Sequence, residues 1–577
     1  MSIFHILSQF GLAENTLGLS AADFIEIVFC ALLILLVLGW KSWGQGFAAT
    51  LVDHPRRCVI LLVLLPVVLR LALYPYHPAP LPNVHDDFGH LLVADTLLHF
   101  RLANPAHPLH QFFETIYVLQ EPTYSSIYPL GQGLTLAAGR VLFGHPWGGV
   151  ILADALFCGL CYWMLRGWTT PEWALAGGLL TVIQFTALSH WMNSYWGGAV
   201  SACAGCLAFG ALPRLRALGR KRDAAFLGLG MAMQALTRPF ETTCLALCVA
   251  LYLLPALRTR TGFQRLLKAA PVFLLTSLPA IGLILLQNKA VTGEWTKLPY
   301  MLSQYQYGVP DSLAFRPMPL PHRQLTPEQQ ACYDAHAQVH ASDSPTARGL
   351  LNTIEYRVRF YRFFFAPPIL LILPFAWLAF RERRFLWMIL FPVIFAFGST
   401  LYPFFFVHYI AAVTCIFVLW SVTALERLSK LWARGKPLGQ TAAALILFLC
   451  CANFLFWYGL HVFDHEPFSA ALRRYENADA INHREGELHA AIDQKLAKMP
   501  GKLLIFVHYS PGHSFHLEWV YNNADIDSAR VVWARDLGST ENKKLLDYYP
   551  NRPAWFFDAD NGEKLVPYDI SLTTPTR

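Results

Sequence analysis

The chain has 577 residues, 55% of them hydrophobic and only 14% Asp, Glu, Lys or Arg, with a formal net charge of +7. A soluble domain carries about 25% charged residues, so the composition excludes a water-soluble globular protein and, equally, a disordered or collagen-like one. It predicts a polytopic membrane protein, and with no RRM, zinc-finger or basic-helix pattern the positive balance does not point to nucleic acid.

The first residues show no charged n-region and no small-residue cleavage site, which predicts no cleaved signal peptide. Spans of about 20 apolar residues are then expected at Phe24–Trp40, Cys58–Tyr74, Trp147–Leu165, Trp173–His190, Val200–Pro213, Ala224–Leu236, Thr242–Leu257, Ala269–Gln287, Phe364–Phe380, Phe385–Leu401, Phe404–Leu425 and Thr441–Leu460. The Gly-rich Leu130–Phe143 has only 14 residues, which suits an interfacial or re-entrant helix better than a span. Charge agrees. Twenty Lys/Arg fall in the six short connections 41–57, 166–172, 214–223, 258–268, 381–384 and 426–440, whereas 75–146 holds only Arg101 and Arg140. Basic connections mark the cytoplasmic side. A spanning Leu130–Phe143 would throw the basic run 215–222 to the outside, so this helix is placed on the outer surface, and both termini face out.

Three organisational units follow. Residues 1–57 supply an extra transmembrane helix and a cytoplasmic loop. Residues 58–460 form the transmembrane domain, with outward loops 75–146 and 288–363. In 461–577 the composition becomes that of a soluble domain. There a helix-like stretch (483–499) precedes a strand LLIFV (503–507), a second strand (529–534), a helix (541–549) and AWFFD (554–558). This alternation predicts a small extracytoplasmic α/β domain. Of twelve cysteines, eleven lie in or beside apolar segments. The CxxC pairs Cys158/Cys161 and Cys203/Cys206 place small side chains on one helix face rather than forming a metal or redox motif.

The chemistry concentrates in the first outer loop. Asp86 and Asp87 are adjacent on a segment leaving the second span, with Asp95, Glu114 and Glu121 beyond and His85, His90, His107 and His110 interleaved. A carboxylate at the mouth of a membrane cavity suits general-base work, and partial burial raises its pKa toward that use. The competing reading is that one of the pair caps a helix opening at Phe88. His90 could join Asp86 and Asp87 around a divalent metal, against solvated or hydrogen-bonded loop histidines. Arg238 in LTRPFE, Arg70 near the end of the second span and Lys297 in GEWTKLPY are candidate phosphate ligands, against snorkelling or ion-paired cations. Trp191, Tyr195 and Trp196 in WMNSYWGG, with Tyr300 and Tyr305 in the second loop, could stack on a sugar. An interfacial aromatic belt is the alternative.

The pieces HDDFGHLLVADT (85–96), QEPTYSSIYPLGQG (120–133) and GRVLFGHPWGGVILADAL (139–156) resemble the GT-C glycosyltransferases, most closely the protein O-mannosyltransferase and aminoarabinose-transferase type, glycosyltransferase family 39-like. The resemblance spans about 58–460 and includes WMNSYWGG, LTRPFE and the stretch 291–308. It implies a GT-C-like membrane domain and an inverting transfer from a polyprenyl-phosphate sugar to a periplasmic acceptor (protein, lipid or glycan) at the inner membrane. No cofactor is required, though a divalent metal can be accommodated. Asp86 matches the catalytic acid position and is the expected general base. Asp87 would orient a substrate and Glu121 would assist. The family usually carries Asp-Glu where this chain has Asp-Asp, which leaves the division of roles open. Two other readings compete: a secondary transporter, disfavoured by unequal, unrepeated loops and few acids in the spans, and a non-catalytic envelope assembly protein using its tail as a binding module.

Overall fold

The computed structural model describes residues 51–342, 357–382, 385–432, 435–462, 487–561 and 564–569, together with positions 28, 353, 354 and 481. The expected span Phe24–Trp40 and the predicted stretch before residue 487 lie outside them.

The membrane region is an array of helices joined by short turns. The first are α1 (Pro55–Ala72), α2 (His85–Leu98), α3 (Leu130–Phe143), α4 (Trp147–Leu165), α5 (Pro171–Phe185) and α6 (Ala199–Leu218). Then follow α7 (Lys221–Thr237), α8 (Pro239–Leu257), the 33-residue α9 (Arg260–Thr292), α10 (Pro299–Tyr307) and α11 (Pro327–Ser342). Residues 359–381 form a single α-helical turn, α12 (Pro367–Leu370), between two 3-10 segments; α13 (Leu386–Thr400), α14 (Thr414–Ser429) and α15 (Leu438–Val462) complete the array.

Five helices among the described residues are long and apolar enough to cross a membrane: Trp147–Leu165, Pro239–Leu257, Arg260–Thr292, Val407–Ser429 and Leu438–Gly459. Two others, α5 and α13, each of 15 residues, are shorter than the hydropathy pattern predicts. The clearest correction is Phe364–Phe380, expected as one span. Pro367, Pro368 and Pro374 cannot donate backbone hydrogen bonds and clash with a preceding helical turn, so the stretch breaks into short pieces while keeping Phe363, Phe364, Ile369 and Ile372 buried. Leucines and isoleucines of α1 and α9 such as Ile60, Leu64, Leu275 and Leu278 are about half exposed or more, the apolar surface expected of lipid-facing helices.

Basic side chains gather where α4, α6, α8 and α14 end. Arg214 donates to the Trp163 carbonyl at 2.7 Å, Arg265 to that of Ala217 at 2.9 Å, and Arg427 pairs with Glu382. The ends of α1, α7 and α9 and the start of α8 lie at the opposite pole, together with the first outer loop. That loop contains a small antiparallel sheet of β1 (Asn104–Pro105), β2 (Val118–Leu119) and β3 (Thr123–Ser126), in order β1-β3-β2.

After residue 486 the chain forms α16 (Glu487–Ala497), β4 (Leu503–His508), β5 (Val531–Arg535), α17 (Ser539–Tyr548), β6 (Ala554–Asp558) and an unanticipated β7 (Lys564–Pro567). The sheet order is β5-β4-β6-β7; β4 pairs parallel with β5 and β6, and β7 antiparallel with β6. Both faces of β4 are covered, which is why it reads as an unbroken apolar run. Leu503, Ile505 and Val507 pack with Ile492 and Leu496 of α16, Trp519 and Phe557. Leu504 and Phe506 pack with Phe112, Phe113, Val118 and Tyr124 of the first outer loop. One hydrophobic core therefore joins the two segments. Buried Arg535 adds polar ties to Glu328 of α11 and, at 3.4 Å, to Glu518.

Candidate active site

α2 opens three residues earlier than the capping reading placed it, at His85. This separates the two carboxylates. Asp87 becomes the third helical residue, and its Oδ2 accepts from the backbone N–H of Asn83 (3.1 Å) and Val84 (3.4 Å), closing the helix N-terminus. Its Oδ1 accepts from the Tyr195 N–H at 2.8 Å. Burial pushes its carboxyl up to about 6 while these three donors pull it down. Both of its oxygens are thus engaged by backbone. Asp86, one residue earlier, takes no part in the cap. Its Oδ1 accepts a hydrogen bond from the Tyr128 hydroxyl, and the residue is only partly buried. Burial, and behind it the neighbouring Asp87, push its carboxyl up to about 7 against a smaller downward pull from Arg238. Gly89 makes the Tyr128 contact feasible: a Cβ there would lie 2.5 Å from Tyr128 Cε2.

Arg238 faces this carboxylate from the corner between α7 and α8. Pro239 stops α7 from continuing and starts α8 at its first turn, leaving Arg238 as the shared cap with φ −142° and ψ 80°. Its guanidinium lies 4.8 Å from the Tyr409 ring centroid. Among the described residues it has no ion pair and no side-chain hydrogen bond, yet its charge reaches Asp86, Glu241 and His90. Five fixed donors without acceptors, beside a carboxylate and at a helix N-terminus, make a site for an anionic oxygen group.

Buried and half-buried aromatic and imidazole groups line the remainder. His90 lies 4.3 Å from the Tyr128 ring and His85 lies 4.7 Å from Tyr117, whose hydroxyl is 2.9 Å from His336 Nε2. Burial pushes His85 and His90 down to about 3, so both are neutral near pH 7. The Tyr300 and Tyr402 hydroxyls bond to each other, and Tyr402 is within electrostatic range of Asp86 and Arg238. Trp196 stands 4.7 Å from His408. The tail closes one side: Tyr521 stacks on Phe88 at 4.2 Å, and the Asp95 carboxylate accepts the Ala524 N–H at 2.7 Å.

Other sequence candidates lie elsewhere. Arg70 is buried with its donors on Asn193 Oδ1 (2.8 Å) and the carbonyls of His77 (2.8 Å) and Pro78 (3.0 Å), so it fixes the turn after α1 and has no fork left for phosphate. Trp191 is fully buried among Phe157, Phe185 and Phe363 and cannot present a ring to a sugar. Tyr195 is also buried, its hydroxyl on the Pro80 carbonyl at 2.8 Å. Glu121 pairs with Arg323 at 3.2 Å and His110 at 3.6 Å. Lys297 pairs with Glu294 at 3.5 Å, and Tyr305 stacks on His322 at 4.1 Å. Among the described residues no hydrogen bond or ion pair joins these three to Asp86 or Arg238. The metal set Asp86–Asp87–His90 does not form either: both Asp87 oxygens are occupied, and no group of three metal-ligating side chains is found among the described residues. Tyr128, Tyr402 and Tyr409 are not among the sequence candidates, although Tyr128 lies inside the motif YSSIYP.

Comparison with protein-family models and with curated proteins finds no match. Among solved structures, the chain is similar to ArnT from Cupriavidus metallidurans in the apo state, at 13% identity over 90% of this chain and 99% of that one, with a TM-score of 0.49. ArnT bound to undecaprenyl phosphate matches at 13% identity over 87% and 92%, with a TM-score of 0.48. The Archaeoglobus fulgidus oligosaccharyltransferase in complex with Zn and sulfate matches at 10% identity over 87% and 67%, with a TM-score of 0.46.

Proposed function

We propose that this chain is an inverting glycosyltransferase that moves a sugar from a polyprenyl-phosphate donor to an acceptor on the outer face of the membrane. The observation that carries the reading is the division of labour in the acidic pair. Asp87 is consumed by three backbone N–H groups, while Asp86 keeps an open carboxylate oxygen, a carboxyl pushed up to about 7 and, near it, Arg238, which has no ion pair among the described residues. A free carboxylate poised near neutrality beside an anion site is what acyl-free group transfer from a phosphate leaving group requires.

In this reading the donor phosphodiester sits on Arg238, and its sugar faces Asp86 among Tyr128, Tyr300, Tyr402 and Trp196. The acceptor hydroxyl enters past Phe88 and Tyr521. Asp86 takes the hydroxyl proton as the oxygen attacks the anomeric carbon. The C–O bond to phosphate breaks, the lipid phosphate leaves with the electron pair, and the anomeric centre inverts. Tyr128 holds the Asp86 carboxylate in position, and Asp87 holds the helix that carries it. A phosphate leaving group needs no strong general acid, and no step is assigned to a metal. The pole with the basic side chains faces the cytoplasm, and the site and C-terminal domain face the periplasm at the inner membrane.

The test is to incubate the purified protein with a panel of labelled polyprenyl-phosphate sugars and envelope extract, and to measure free polyprenyl phosphate. Release from one donor class, abolished by Asp86→Asn, is the expected result. A folded protein that releases none from any donor would turn the assignment toward transport or assembly.

A further inference from the structure

Two imidazoles beside Arg238 are buried without partners. His90 of α2 is 7% exposed, and His408, in the 3-10 turn Val407–Val413 that leads into α14, is 4% exposed. Each keeps a buried Nδ1 with no hydrogen-bond partner, and among the described residues no hydrogen bond or ion pair engages either ring. Ring packing holds them: His90 lies 4.3 Å from Tyr128, and His408 lies 4.7 Å from both Trp196 and Tyr409. A buried polar atom left unbonded opposes folding, so two such rings in one place call for a ligand.

The two rings converge on one cation. Tyr409 packs against His408 and also carries the Arg238 guanidinium at 4.8 Å from its ring centroid. The Arg238 charge reaches both imidazoles, and His408 is within electrostatic range of His90. The other titratable groups around them are Asp86 on α2, Glu241 in the first turn of α8, Tyr128, His190, Tyr402 and Tyr409. Arg357, on the far side of Tyr409, is spent on the carbonyls of Ser399, Tyr402 and Pro403. A nearby cation disfavours proton uptake by an imidazole, and a nearby anion favours it. A singly charged phosphodiester only offsets Arg238. A phosphomonoester, doubly charged above its second ionisation at about pH 6, leaves one negative charge over.

We propose that His90 and His408 complete the anion site at Arg238 and that the pair reads phosphate charge. The donor phosphodiester is bound with both rings neutral, each giving one ring N–H to a phosphate oxygen. The lipid phosphate left after transfer is bound with one proton, taken from water, added to the pair. Loss of that proton releases it, so product departs by a step the donor does not share. The inference rests on the transferase reading, which supplies the two lipids.

The test uses the full chain in detergent, with undecaprenyl phosphate and its methyl diester as probes. Titration calorimetry at about pH 7.5 in Hepes and in Tris, whose heats of ionisation differ, counts the protons exchanged on binding. Wild type is expected to take up about one proton with the monoester and none with the diester. The double variant His90→Asn, His408→Asn is expected to lose that uptake and to bind the monoester roughly tenfold more weakly or worse, while its diester binding, which falls less, reports an intact fold. Equal proton exchange with both lipids in wild type would overturn the charge reading, whatever the variants do. Uptake that persists in the double variant would place the proton on Asp86 and overturn the two histidines as its carriers. A wild type that binds neither lipid, or an Arg238→Gln variant that binds both as wild type does, would instead overturn the transferase reading beneath the inference.

Discussion

Replacing Asp86 by Asn separates catalysis from folding. The amide keeps the shape and still accepts from Tyr128, but it carries no charge and cannot take a proton. Moving the carboxyl from its ordinary 3.8 to about 7 corresponds to an upper limit of about 4 kcal/mol, at roughly 1.4 kcal/mol per pH unit; the partial exposure of Asp86 makes the realised figure smaller. The sign follows from linkage: a carboxyl raised in the folded state costs nothing below its unfolded value and progressively more as pH rises toward 7. Asp86→Asn should therefore melt with wild type at pH 3 and above it at pH 8. Its donor turnover should fall by roughly a hundredfold or more, the usual scale for a general base. Melting curves at the two pH values, paired with polyprenyl phosphate release, check both halves. A variant that turns over normally, or whose stability advantage does not grow with pH, would refute the assignment of Asp86.

Asp87→Asn should behave oppositely, because an amide nitrogen would face one of three backbone donors; a stability loss of about 1–3 kcal/mol, read by thermal melt, should accompany any activity loss. Arg238→Gln should weaken donor binding by roughly 10- to 100-fold, the scale of a charge-assisted hydrogen bond, seen as a raised KM with a partial rescue in Arg238→Lys. Tyr128→Phe removes a donor to the Asp86 carboxylate, so the acid limb of the pH–rate profile should move to higher pH, with activity recovered in alkaline buffer. Arg535→Met leaves Glu328 and Glu518 buried without their cation; a loss of about 3–5 kcal/mol should appear as protease sensitivity of the tail.

Local signals located several of the helices. The bounds of α3 coincide with the apolar run because Pro129 precedes it and Gly144, at φ 76°, ends it. Hydropathy misled at 364–380, since an average over apolar residues is blind to three prolines. The acidic pair was visible, but which member closes the helix and which stays open depends on a three-residue shift in the helix start, beyond the resolution of spacing. Arg70 looked free because its acceptors are carbonyls of the returning chain. Trp191 looked interfacial because its aromatic neighbours come from α4, α5 and residue 363. The seating of the tail on the first loop joins residues some 400 positions apart, as in Tyr124 with Asn522 and Asp95 with Ala524, and no periodicity encodes it.

That seating has a consequence for biogenesis. The apolar faces of Phe112, Phe113, Val118 and Tyr124 are completed by Leu504, Phe506, Val532 and Leu545, which leave the ribosome after all the described helices of the membrane region. The loop bearing Asp86 is thus made early and must wait, with an unfinished core, until the tail strands have been translated. A chain cut short before Leu504 keeps its helices but leaves this core open, so the finished shape of the first loop is tied to synthesis of the tail.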